Sequence, residues 1–183
     1  MTMKLRHFVG ALILLSTLAV CAQAQANGTS TTQRAPSKPA RPFVVRNAQS
    51  LADLERKLQT ENKAEDLIGG EGMQLRVAVQ HEKDKTGAAA EVHDASDDVY
   101  YVLDGAATLV LGGTLDAPRE VEPGEWRAAR IVGGQTVEIA KGDLVVVPRG
   151  TPHQRSTAGK DFQMILIKIF AEPLRPPAKK PTP

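Results

Sequence analysis

Between Gly142 and Thr157 the chain reads Gly-Asp-Leu-Val-Val-Val-Pro-Arg-Gly-Thr-Pro-His-Gln-Arg-Ser-Thr, an order that spells strand, tight turn, strand. Leu144 to Val147 is a short apolar run of mostly β-branched residues, the composition of a buried strand. Pro148 withholds a ladder donor where that strand must stop, and Gly150 supplies the backbone freedom of a tight turn. His153 therefore opens a new strand close to the end of the previous one, where a side chain can be aimed into a cavity.

The rest of the chain surrounds this stretch with more short strands. Met73, Leu75, Val77 and Val79 alternate with Gln74, Arg76, Ala78 and Gln80, the period of a half-buried strand. Further strands are predicted at Val99–Leu103, Thr108–Leu111, Arg130–Val132, Thr136–Ile139, Leu144–Val147 and Phe162–Phe170. Thr114 to Trp126, interrupted by Pro118 and Pro123-Gly124, reads as a loop or an inserted hairpin. Ahead of the strands, Ser50 with Asp53 forms a capping box, and Leu51, Leu54 and Leu58 share one face at helical spacing. That pattern predicts a helix from about Leu51 to Asp66, ended by Gly69-Gly70, with its leucine face on the outside of the strands, a subunit contact being the alternative. One leading helix and many short strands make the fold class all-β, a sandwich or barrel in a single domain without internal repeats.

The two ends differ from this middle. Met1–His7 carries Lys4 and Arg6, Phe8–Val20 is apolar or small, and Ala22-Gln-Ala-Gln-Ala26 offers small-x-small cleavage sites, so residues 1–26 read as a secretory signal peptide. An exported, periplasmic or secreted protein with no membrane span after cleavage is expected, and anchoring as a lipoprotein through Cys21 is the alternative. Cys21 is the only cysteine, so ordinary cleavage leaves no disulfide and no thiolate metal ligand. Residues 27–46 have the composition of a disordered linker, 47–70 hold the N-terminal helix, 71–171 the barrel, and 172–183 a Pro/Lys-rich disordered tail. From Asn47 to Phe170 there are 14 Lys plus Arg against 20 Asp plus Glu, so the excess of positive charge lies in the ends. No aromatic cluster is interleaved with basic residues, and nucleic acid is not an expected partner.

Gly142, Pro148, Gly150 and His153 stand at the spacing of the second motif of the cupin superfamily, with Thr157 where that motif usually has Asn. Upstream, Glu91-Val-His93-Asp-Ala-Ser-Asp97-Asp98-Val-Tyr-Tyr-Val-Leu-Asp-Gly105 resembles the first motif, with Glu91 at its first histidine, His93 at its second and Asp98 in place of its Glu. The resemblance covers Met73 to Phe170. It implies a cupin-type jelly-roll β-barrel with an N-terminal helix and disordered termini, in which Glu91, His93, Asp98 and His153 hold one divalent metal ion. Glu91 and His93 are two apart on an extended chain and so share a face; Asp97 is the alternative to Asp98 if the register shifts by one.

Two imidazoles and two carboxylates suit Mn or Fe(II), with Zn as another choice. Tyr100 and Arg155 are candidates for contact with a small polar or anionic substrate. No Ser-His-Asp or Cys-His set is visible, and the paired glycines lack phosphate-loop spacing. Cupins include dioxygenases, isomerases and binding proteins, and often pair as dimers. The expectation is thus an exported metal-dependent enzyme on a small molecule, in a homodimer or alone; the alternative is a non-catalytic ligand- or metal-binding module of the cell envelope.

Overall fold

The structure, a computed structural model, describes residues 36–39 and 41–175. The proposed signal peptide, half of the linker (residues 27–35 and 40) and residues 176–183 of the tail lie outside the described residues. Residues 36–39 are exposed and without regular structure, as are residues 42–46. In chain order the elements are α1 (Ala48–Leu58), β1 (Lys63–Ile68), β2 (Leu75–Lys83), β3 (Ala90–His93), β4 (Ser96–Leu111), β5 (Thr114–Leu115) and β6 (Arg119–Glu122). They continue with β7 (Glu125–Ala128), β8 (Ile131–Val132), β9 (Gln135–Ala140), β10 (Leu144–Val147), β11 (His153–Ser156) and β12 (Asp161–Phe170).

β4 organises the barrel because it runs through both of its sheets. Its first half pairs with β12 and β10, extending to β2 and β1; its second half pairs with β9 and β11, extending to β3, β7 and β6. Where the strand changes sheets, a register shift falls opposite Gln163/Met164 and Gly105 adopts φ +77°. A Cβ at Gly105 would lie 2.0 Å from the Asp161 carbonyl oxygen, so the chain can bend here only with glycine. Two predicted strands, Val99–Leu103 and Thr108–Leu111, are therefore one strand with a bend.

Alternation then decides what faces the interior. Tyr100, Val102, Ala107 and Leu109 of β4 pack with Ile139, Val147, Phe162, Met164 and Leu166 into one core. The insertion Thr114–Trp126 is a hairpin, β6 to β7, whose second strand is laid against β3 and closes that sheet.

The helix differs from its predicted extent. It begins at Asn47, whose side-chain oxygen accepts the Ser50 N–H at 2.8 Å, so Asn47 rather than Ser50 is the cap. It ends at Leu58, which is buried, and Lys63–Ile68 forms an edge strand against β2 instead of more helix. Lys63-Ala-Glu-Asp-Leu-Ile is locally richer in helix formers than in strand formers, and pairing with the edge of β2 overrides that preference. α1 packs outside the sheet: Gln163 Nε2 donates to the Glu55 carbonyl at 2.8 Å. No helix among the described residues is long and apolar enough to cross a membrane.

Candidate metal centre

Three neighbouring strands bring the motif residues together by register. His153 of β11 is the partner of Glu91 on β3, and Glu91 is in turn the partner of Arg127 on β7. One pleat along, His93 faces Glu125. Directly opposed residues share a face, so all five side chains enter the barrel. The carboxylate of Glu91 and one ring nitrogen each of His93 and His153 lie within 4.8 Å of one another, and the two imidazole centroids are 5.1 Å apart.

Hydrogen bonds set the tautomers. His153 Nδ1 lies 3.0 Å from the Thr151 carbonyl oxygen, which only accepts, so Nδ1 carries the proton and Nε2 presents a lone pair. His93 Nδ1 likewise meets the Glu125 carboxylate at 2.6 Å. The two Nε2 atoms then point inward, His153 Nε2 to Glu91 Oε1 at 3.5 Å and His93 Nε2 to Asp98 Oδ2 at 3.6 Å. His153 Nε2 is buried with no hydrogen-bond partner among the described residues, an arrangement that costs free energy unless something binds there.

The charges agree with this geometry. Burial acts upward on Glu91, but His153 and His93 in their protonated forms, with Arg127, overcome it and hold its pKa at about 2; when both imidazoles are neutral, Arg127 is the cation that keeps the group a carboxylate. Arg127 reaches Glu91 Oε2 at 3.1 Å and Glu125 Oε2 at 3.3 Å, fixing both acids. For His93 burial acts downward and Lys168 opposes protonation, yet Asp98 and Glu125 raise its pKa above the ordinary 6.5. Two lone-pair nitrogens, one of them the orphaned His153 Nε2, and one ionised oxygen fit a divalent ion, and the Glu-His-His cluster allows one.

The remaining predicted residues have other partners. Asp98 faces inward beside His93, but its Oδ1 receives Lys168 Nζ at 2.8 Å and its Oδ2 the Tyr100 hydroxyl at 3.3 Å. It stands outside the three-residue cluster, neutralised by a lysine. Burial acts upward on Asp98; His93 and Lys168 more than offset it and lower its pKa. Asp97 turns outward, where Arg149 grips its carboxylate at 2.7 Å and 3.0 Å through two guanidinium nitrogens, so it is no part of the site.

Arg155 is buried inside, but its guanidinium spends two bonds, 2.8 Å and 2.6 Å, on Glu82 and lies over the Tyr100 ring. Tyr100 is pushed up, by burial first, and stays a neutral donor. Both still border a cavity of about 220 Å³ that also reaches Gln80, Lys85, Glu91, His93 and Lys168. His81 sits apart from the cluster, its Nδ1 on the Glu61 carbonyl at 2.8 Å.

Sequence reading missed Glu125, Arg127 and Lys168. The first two belong to the inserted hairpin, whose pairing with β3 has no local signature. Lys168 did leave a trace: Phe162, Met164, Leu166 and Lys168 form one period-two face, so a charge was predictable inside the barrel.

An antiparallel two-sheet barrel with inward histidines and a carboxylate on adjacent strands is a cupin fold with a candidate metal centre. No protein-family model matches the chain, and no curated protein matches it. Among solved structures it is similar to BH2720 from Bacillus halodurans, at 19% identity over 75% of this chain and 86% of that one, with a TM-score of 0.49. KdgF from a Halomonas species is similar at 17% identity over 61% and 80% of the two chains, with a TM-score of 0.42. A cupin superfamily protein, DSY2733 from Desulfitobacterium hafniense, is similar at 18% identity over 60% and 80%, with a TM-score of 0.40.

Proposed function

We propose that this chain is a metal-dependent cupin enzyme acting outside the cytoplasm on a small anionic molecule. The observation that carries the reading is the buried, unpartnered Nε2 of His153, aimed at Glu91 and His93. Two imidazoles and one carboxylate favour Mn or Fe(II), which when bound supply Lewis acidity toward a substrate oxygen or activation of O₂.

Charge supports the anionic substrate. Glu82, Glu91, Asp98 and Glu125 are matched around the cavity by Lys85, Arg127, Arg155 and Lys168. A divalent ion adds two positive charges to this balanced set, and a low-dielectric cavity takes up an anion to offset them. Lys168, Lys85 and Arg155 are the cations that border the space; the remaining N–H groups of the two lysines orient the anion, while the Tyr100 hydroxyl gives its proton to Asp98 and only walls the cavity. Thr151 and Glu125 keep both imidazoles in the inward-lone-pair tautomer, and Arg127 keeps Glu91 ionised. The leader-like residues 1–26 support export.

The test is metal analysis of protein purified without chelator, alongside His153→Ala. Stoichiometric Mn or Fe that is lost in H153A with circular dichroism unchanged is the expected result. A chain that takes up no ion from Mn or Fe(II) solutions, or an H153A variant that keeps it, would overturn the reading. If metal binds, turnover with O₂ of a panel of small carboxylates and of their neutral amides tests the substrate class.

A further inference from the structure

The outer face of the same sheet carries a second, unrelated feature. Trp126 stands on β7 between two register partners, Val92 of β3 and Glu120 of β6, and so points away from the barrel. With Leu115, Pro118 and Pro152 it walls an open groove of about 440 Å³ that is mostly apolar. Asp94 also lines it, accepting the indole N–H at 2.8 Å, and makes no ion pair among the described residues. Glu120 is the register partner of Trp126 on β6, and among the described residues no Lys or Arg lines the groove.

The described chain ends beside this groove. Leu174 is pinned by two backbone hydrogen bonds of 2.8 Å, to Gly72 and Met73, and Leu174 and Arg175 border a second hollow whose wall includes Asp94 itself. One residue thus belongs to both places. The next eight residues, 176–183, read Pro-Pro-Ala-Lys-Lys-Pro-Thr-Pro. A polyproline II run of eight residues spans about 25 Å, at about 3.1 Å per residue. A polyproline helix has little conformational entropy left to lose and presents flat rings to aromatic and proline walls, the way such segments bind grooves generally. Lys179 and Lys180 supply the charge that Asp94 and Glu120 lack.

We propose that residues 176–183 dock intramolecularly in the Trp126 groove, prolines on the indole and lysines toward Asp94 and Glu120. The juxtaposition of the chain's described end with a tryptophan-walled, acid-rimmed groove carries the inference.

Trp126 is the only tryptophan, so its fluorescence reports on the groove directly. Full-length chain is compared with a chain ended at Arg175, both checked for the same melting temperature. The shortened chain is expected to show red-shifted emission and stronger acrylamide quenching, and a synthetic peptide of residues 173–183 to reverse both. Lys179→Glu with Lys180→Glu in the full chain is expected to mimic the truncation. Identical emission and quenching in full and shortened chains overturns docking. A shift that the peptide does not reverse overturns it as well, and one that depends on protein concentration assigns the tail to a neighbouring copy and overturns the intramolecular form. Unchanged fluorescence in the double Lys variant overturns the charge pairing.

Discussion

Lys168 and Asp98 are register partners across β12 and β4, and inside the barrel their side chains close to 2.8 Å. This pair takes the one acid that stands where the cupin motif has Glu and gives it a lysine in place of a metal. Lys168→Met should therefore free Asp98 toward the centre and remove a repelling charge. An increase in affinity for Mn of about tenfold is expected by titration calorimetry. Affinity that is unchanged or weaker would mean that Asp98 cannot reach the ion.

Protons compete with metal at His93, whose pKa is raised. The protonated form is stabilised in the free protein, so loss of metal affinity on acidification begins at a higher pH than for an ordinary histidine. Below that pKa affinity falls about tenfold per pH unit for each proton displaced. Asp98→Asn takes away a carboxylate that raises the pKa, and the onset should move to lower pH. Calorimetry from pH 8.5 downward, in steps of about one unit, reads both curves.

The Glu82–Arg155 pair links stability to pH. Burial acts upward on Glu82, but Arg155 and Lys85 bring its pKa from 4.5 to about 2. A carboxylate lowered on folding stabilises above its unfolded pKa and loses that contribution as pH falls through its folded pKa. The window is thus from about 4.5 down to about 2, and the amount is on the order of 3 kcal/mol. Glu82→Gln should be less stable than the natural chain at pH 7, because it strands a buried guanidinium, and the gap should narrow between pH 4.5 and 2. Urea unfolding across that range measures it; a constant gap would contradict the linkage.

Gly105→Ala should be among the most damaging single changes. It places a Cβ 2.0 Å from a backbone oxygen and forces an L side chain to φ +77°. A loss of about 3 kcal/mol or more in urea unfolding is expected. Gly142→Ala is the control: its φ is also positive, at +92°, but nothing lies within 4 Å, so it should cost less.

Period and turn chemistry along the chain settled that this protein is built of short strands and which residues of each strand share a face. Leu144–Val147, Pro148 and Gly150 announce strand and turn, and the two-residue steps from Glu91 to His93 and from His153 to Arg155 commit each pair to one side. Local pattern is enough there because the constraint is local. Which strand lies beside which is decided only by long-range pairing, and a shift of one residue would turn every inward side chain outward. Tertiary register alone put Glu125 against His93, Arg127 against Glu91 and Lys168 against Asp98, and it made Lys63–Ile68 a strand where local pattern suggested helix. The character of the cavity, two histidines and an arginine-held carboxylate in a field of paired charges, comes from those pairings.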